Sequence, residues 1–156
     1  KKAAFEMREA LSEIGLQSTA MVTGGKGIHV IVPLRRTVRW DTVKAFAKTF
    51  AHMLAEKAPE RYIATMSKEK RRNRIFIDWL RNERGATAIL PYSLRARPGA
   101  PVATPVTWEE LERLKSAAAF TIGDMEGRLK GRDPALAVKP QTLGKALIGR
   151  LERRVG

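Results

Sequence analysis

Cysteine is absent from the 156 residues. That excludes a disulfide framework and every zinc site built on thiolates, and it agrees with a reducing cytoplasm. Long apolar runs are absent too: no stretch is long enough to cross a bilayer, and the start carries no signal-peptide pattern. Acidic residues are scarce, with 16 Asp and Glu against 30 Lys and Arg, for a formal net charge of +14. A folded chain so basic repels itself unless it meets a polyanion, so nucleic acid or nucleotide is the leading class of partner. A basic protein with no anionic ligand is the plainer alternative. A membrane surface fits less well, because no segment joins a broad apolar face to a purely cationic one. There is no internal repeat and no low-complexity tract. The first residue is Lys1 rather than Met, which predicts that the chain begins inside a larger protein or after processing.

What is present suffices for a folded domain. Apolar residues make up 44% of the chain, enough for a core, and the length suits one domain. The spacing of Ala4, Met7, Leu11 and Ile14 predicts a helix over 2–15, with Gly15 as its stop. Residues 17–22 and 28–34 read as strands around the glycine-rich turn Thr23-Gly24-Gly25-Lys26-Gly27, a hairpin-like unit. Asp41 is a candidate cap for a helix reaching about Lys57, with Val43, Phe46, Ala47, Phe50 and Leu54 on one face. A basic stretch, 68–74, leads into Ile75-Phe76-Ile77-Asp78-Trp79-Leu80, which reads as a buried strand. Residues 86–92 suggest a further extended piece, and 95–101 a loop by their Pro and Gly content. Thr107 caps a short helix through about Leu114, with Glu109 and Glu110 in its first turn. Residues 123–142 look like a loop or linker, and Leu143, Leu147 and Leu151 suggest a last helix. Helices and strands mix without a strict βαβ rhythm, so the class is α+β, a mixed or antiparallel sheet with packed helices.

Several residues could do chemistry. The three glycines of the turn let backbone N–H groups approach a ligand, and Lys26 adds a charge, a nest suited to phosphate oxygens. It is not a Walker P-loop, which needs Gly where this chain has Ala20 and Ser or Thr where it has Gly27. A tight hairpin turn with an exposed lysine accounts for the same residues. Strand alternation sets Ile28, Val30 and Val32 on one face and His29 and Ile31 on the other. His29 could thus donate to a phosphate held by the turn, or be half-buried with a backbone partner. Asp78 is a carboxylate in an apolar run, costly unless paired or bound to a metal. A metal ligand and a salt bridge to Arg74, Arg81 or Arg84 both stay open. Arg95 and Arg97, one residue apart, point the same way if extended, and their guanidinium groups suit phosphates. Lys68, Lys70, Arg71, Arg72 and Arg74 could track a nucleic-acid backbone, or form a solvated turn.

Thr23 to Leu34 resembles the second motif of the polymerase domains of bacterial ligase D, members of the archaeo-eukaryotic primase superfamily. Arg74 to Asn82 resembles their third motif. Gly85-Ala86-Thr87-Ala88 and the run Pro91 to Pro105 follow in the family's order. The resemblance covers about residues 3–122, read here as the carboxy-terminal part of that domain, with 123–156 a less well matched linker and terminal helix. It implies that Thr23, where the family usually has Ser, contacts a nucleoside triphosphate together with Lys26, His29 and Arg95. It implies that Asp78 is a catalytic metal ligand for Mn²⁺ or Mg²⁺.

The family's first motif, two aspartates separated by one residue, would lie just before the first helix. No Asp-X-Asp occurs in this chain. The resemblance therefore implies an incomplete primase-polymerase lobe, part of a nucleotidyltransferase that adds nucleotides to DNA ends in non-homologous end joining. A non-catalytic nucleic-acid or nucleotide binding module derived from that fold is the alternative, and a structural subdomain kept for partner contact is a weaker third. The implied partners are DNA ends, nucleoside triphosphates, the remaining half of the domain, and ligase and end-binding proteins. The implied place is the bacterial cytoplasm, near the nucleoid.

Overall fold

A computed structural model of the chain describes residues 1–67 and 69–154. In chain order the elements are α1 (Lys2–Glu13), β1 (Thr19–Val22), β2 (Ile28–Ile31), α2 (Trp40–Lys57), β3 (Tyr62–Ile63), β4 (Ile75–Phe76), β5 (Thr104–Val106), α3 (Trp108–Arg113), α4 (Ile122–Lys130) and α5 (Lys145–Glu152). Short 3₁₀ turns cover Glu69–Arg71 and Pro134–Leu136. The class is α+β, as the sequence predicts. No described helix is long and apolar enough to cross a membrane. The chain forms two compact units, one from Lys1–Pro33 with Ile89–Gln141, the other from Leu34–Ala88 with the residues from Thr142 onward.

The first unit is built on β1, buried at all four positions and hydrogen-bonded on both sides in the antiparallel order β2-β1-β5. Ala20 lies opposite Val30 and Val106, and Met21 opposite His29 and Pro105. Because side chains alternate along a strand, Ala20, Val22 and Val106 share one face. They pack there with Ala4 of α1 and with Trp108 and Leu111 of α3, while Ile28 and Val30 close the margin. The Trp108 indole N–H donates to the Ser18 carbonyl at 2.9 Å, which satisfies the polar edge of a large buried ring. Gly15, at φ +94, ends α1 where an L side chain would be strained.

Capping fixes α3 and α4. The Thr107 hydroxyl accepts from the Glu110 N–H, and the Glu110 carboxylate accepts from the Thr107 N–H at 2.8 Å. Glu110 also receives the Arg128 guanidinium at 2.9 Å, and that bond holds its carboxyl below the usual range. A second Arg128 nitrogen donates to the Pro105 carbonyl at 2.7 Å. Residues 123–130, the first part of the expected loop or linker 123–142, thus lie in the helix Ile122–Lys130. The Asp124 carboxylate accepts from both the N–H and the hydroxyl of Thr121. The Thr-X-X-Asp pattern is a legible start signal that the glycines around it obscure.

Of the extended piece expected over 86–92, residues 86–91 form no strand, and Leu90 is 70% exposed. The extended pairing comes later in the chain, where a hairpin runs from Tyr92 to Ala103. The Tyr92 N–H donates to the Ala103 carbonyl at 2.7 Å, the Ala103 N–H to Ser93 at 2.9 Å, and the Arg95 N–H to Pro101 at 2.8 Å. Leu94 bridges Val102. Its second arm continues into β5, a strand absent from the sequence reading because Pro101 and Pro105 mark that stretch as loop.

In the second unit, α2 buries Phe50, Ala51, Met53 and Leu54. The helix starts one residue before Asp41, with Arg39 at the cap position. Asp41 therefore does not cap it and lies in the first turn, where a carboxylate meets the positive helix end. The predicted strand 75–80 shrinks to β4, a two-residue parallel partner of β3. Ile75 is 52% exposed, so the apolar run is not a buried strand. The last helix contains Leu147 and Leu151, whereas Leu143, fully buried, precedes it.

The Tyr92 phenol donates to Asp133 Oδ1 at 2.8 Å. Burial, the hydrogen bond to Asp133 and the facing charge push the phenol up from 10.0 to about 12. A raised folded pKa means the stabilisation is complete below pH 10 and lost as pH rises toward 12. Tyr92→Phe should flatten the fall in stability over that window, measured as urea midpoints against pH. Parallel profiles for the two proteins would refute it.

Candidate functional site

The first unit brings the glycine turn and the arginine hairpin together. At the end of β1, Thr23 closes the turn on itself: its N–H and its hydroxyl both donate to the Gly27 carbonyl, at 3.2 and 2.9 Å. Gly24 takes φ +65 and donates its N–H to the Ala117 carbonyl at 2.9 Å. A Cβ on Gly24 would lie 2.7 Å from Arg95 Cγ and 3.2–3.3 Å from the backbone of Val102 and Ala103. A Cβ on Gly25 would meet the Arg97 guanidinium carbon at 3.6 Å and the Thr23 hydroxyl at the same distance. The missing side chain of Gly24 therefore admits the Arg95 stem, whereas a Cβ on Gly25 would make ordinary contact with the Arg97 head group. Both arginines reach the glycine turn, but not through the extended backbone that their alignment presupposed: the chain bends at Ala96 and Arg97, and the Arg97 N–H donates to the Arg95 carbonyl at 2.8 Å. The turn is less open than a free nest, since the Gly24 N–H is already engaged.

Lys26 is exposed at the turn. His29 is half-buried in β2 opposite Met21. Ile28 and Val30 pack on the Trp108 core, so His29 takes the other face of the strand, as alternation predicts. Thr23 is buried, and its single hydroxyl proton is already donated to Gly27. To donate to a phosphate it must rotate that proton away.

Sequence reading missed Tyr92 and Asp133. Tyr92 stands three residues before Arg95 and holds φ +63, rare for a side chain with a Cβ. Its hydroxyl partner lies far along the chain, and no local pattern announces such a pair.

In the second unit, Asp78 lies beyond β4 and is exposed. Its Oδ2 accepts from Arg81 Nε at 3.2 Å and its Oδ1 from the Leu80 N–H at 3.2 Å. Arg81 donates further to the Thr87 carbonyl at 2.6 Å. Of the two readings left open by the sequence, the local salt bridge is present, and the expected burial of this carboxylate is not. Among the described residues, no group of three or more His, Cys, Asp or Glu is placed to hold a metal ion. One exposed, arginine-paired carboxylate does not make a divalent site, which draws on several oxygen ligands. The residues present do not fit a complete metal centre.

The basic stretch divides by role. Arg74 donates to the carbonyls of Pro59 and Lys70. Arg71 lies 3.8 Å above the Phe76 ring, and its Nε is buried without a hydrogen-bond partner among the described residues. Lys70 and Arg72 are exposed. Lys68 lies outside the described residues.

The family described as LigD, primase-polymerase domain, matches residues 1–135. Over 127 residues the chain is 43% identical to the multifunctional non-homologous end joining protein LigD of Pseudomonas aeruginosa, a match spanning 80% of this chain and 15% of that protein. Over 130 residues it is 28% identical to the bifunctional non-homologous end joining protein LigD of Bacillus subtilis, covering 83% of this chain and 21% of that one. The polymerase domain of Mycobacterium tuberculosis ligase D, solved in complex with DNA, superposes with a TM-score of 0.75 at 33% identity, over 83% of this chain and 45% of that one. The chain thus spans less than half of that domain and a small part of each curated relative. With the family matched over residues 1–135 and relatives alike in sequence and fold, the chain belongs to the LigD primase-polymerase domain family.

Proposed function

We propose that this chain is the carboxy-terminal part of a LigD polymerase domain and holds the triphosphate of a nucleotide being added to a DNA end. The supporting observation is the approach of the Arg95 and Arg97 side chains to the glycine turn, which gathers two arginines and the exposed Lys26 at one place. Guanidinium forks match phosphate oxygens and oppose the charge that builds on a leaving pyrophosphate. Thr23 and His29 complete the triphosphate contacts on this reading. Lys70 and Arg72 face a DNA backbone, in keeping with the DNA-bound state of the mycobacterial domain. Work at DNA ends sets the chain in the bacterial cytoplasm, alongside ligase and end-binding proteins.

The family's phosphoryl chemistry uses Mn²⁺ or Mg²⁺, and Asp78 is the residue of this chain matched to a metal ligand. Held by Arg81, it needs further carboxylates, which the Asp-X-Asp motif would supply from preceding residues. A second reading, a binding module without catalysis, is favoured by that same Asp78–Arg81 pair.

Three measurements test these readings. ATP titrated without metal should bind the chain, with Arg95→Ala and Arg97→Ala each weakening it about tenfold, the value of one charge-assisted contact. Arg39→Ala, on an exposed side chain of the second unit, should leave binding unchanged. Equal affinity in all four proteins would remove the triphosphate site.

Duplex DNA should bind without sequence preference, and log affinity should fall with log salt by about 0.9 per phosphate contacted. Removing Lys70 and Arg72 together should lower that slope by nearly two, while Arg74→Ala acts on stability. A slope indifferent to Lys70 and Arg72 would place DNA elsewhere.

In primer extension with Mn²⁺, this chain alone should add no nucleotide, and a longer chain carrying Asp-X-Asp should extend. Extension by the short chain, abolished by Asp78→Ala, would mean that another carboxylate completes its site. Failure of both would favour the binding module.

A further inference from the structure

Arg95 and Arg97 ride on the first arm of a hairpin whose second arm is anchored by continuing into β5. That first arm needs its own anchor. It emerges from residues 86–91, which pair with no strand, and the turn at its far end contains Gly99 and Ala100 at positive φ. At the base of the arm stands Tyr92, in the left-handed region at φ +63, a conformation an L side chain keeps only when its surroundings over-determine it. Two bonds do so. The backbone N–H donates to Ala103 at 2.7 Å, and the phenol reaches Asp133 Oδ1 at 2.8 Å. Asp133 is itself fixed, since the same oxygen accepts the Ala135 N–H at 2.9 Å and so caps the 3₁₀ turn Pro134–Leu136. That turn packs beside β1 and β5. The phenol therefore ties the arginine arm to the central sheet from a point about forty residues away in the chain.

We propose that Tyr92 and Asp133 are positioning residues for the triphosphate: their hydrogen bond holds the first arm of the hairpin so that Arg95 and Arg97 stand over the glycine turn. The inference rests on the triphosphate reading above, and neither residue touches the nucleotide in it. The carboxylate serves here only as an acceptor. An amide oxygen can replace it, and an aliphatic side chain cannot. Loss of the bond leaves the β1–β5 pairing and the Trp108 core intact and loosens the arm alone.

The test uses this chain and the variants Tyr92→Phe, Asp133→Asn and Asp133→Leu, with ATP as the probe and amide hydrogen exchange as a second readout. Tyr92→Phe and Asp133→Leu should weaken ATP about tenfold, as expected for loss of one bond to a charged acceptor. Asp133→Asn should retain most of the affinity. Exchange should quicken at the Tyr92, Arg95 and Ala103 amides and stay slow at those of β1. If wild type binds ATP through Arg95 and Arg97 while Tyr92→Phe binds equally well, positioning is overturned and the triphosphate reading stands. If exchange quickens equally throughout the first unit, the bond is merely structural and the proposal falls. If wild type binds no ATP, the triphosphate reading fails. The exchange pattern then decides whether the bond still orders the arm, and uniform slow exchange in Tyr92→Phe overturns that too.

Discussion

Gly24 has no room for a side chain, and much of the first unit follows from that. Its backbone takes φ +65, its N–H is bound to Ala117, and the Arg95 stem occupies the place a Cβ would fill. The close approach lets the Tyr92–Ala103 hairpin lie against the end of β1 instead of standing off by the width of a methyl group. Two segments remote in sequence thus bring backbone amides and guanidinium groups to one place. An alanine there would meet both a conformational penalty for φ > 0 and contact with Val102 and Ala103 backbone atoms, which cannot rotate away as a side chain can.

The basic residues of the chain do two kinds of work. Arg128 bonds Glu110 and the Pro105 carbonyl, Arg74 holds the turn before β4, Arg71 covers Phe76, and Arg81 bridges Asp78 to Thr87. A guanidinium offers several donors in a rigid plane, so one side chain can tie two or three acceptors in loops that lack a ladder. Lys26, Lys70, Arg72 and Arg97 stay exposed. The formal charge of +14 therefore overstates the charge offered to a polyanion, since part of it is already engaged in holding irregular segments.

Local signals were legible where the structure is local. The hairpin around 23–27 followed from glycine content flanked by β-branched residues, α2 from its apolar spacing, and α3 from Thr107 with Glu110. The facing of His29 away from Ile28 and Val30 followed from the two-residue period. What escaped was set by distant contacts. β5 carries Pro105 because its sheet partner β1 lies on one side and needs no donor there, a fact invisible without the register. The strand expected over 75–80 failed because β4 has a single short neighbour, so apolar composition there reflects only partial burial. α4 hid behind Gly123, Gly127 and Gly131. The site followed the same division: the residue types at the glycine turn and in the arginine loop were readable, but their meeting depends on Gly24 packing against Arg95 across seventy positions of chain. The Arg81 partner of Asp78 was one of three arginines within reach in sequence, and only the turn at 80–81 selects it.

The order of synthesis bears on the register of β1. Its hairpin partner β2 follows within a few residues, but Ala20 must wait for Val106 to pair on its other edge, and the whole second-unit stretch 34–88 intervenes. Until β5 emerges, the edge of β1 away from β2 lacks the strand that pairs with it here. A contact of such long sequence separation forms slowly, because the intervening loop must close before the pairing repays it. Open apolar edges in that interval are templates for pairing with another chain. The antiparallel order β2-β1-β5 is therefore completed only after the second-unit stretch has been made, a delay set by the sequence separation of Ala20 and Val106.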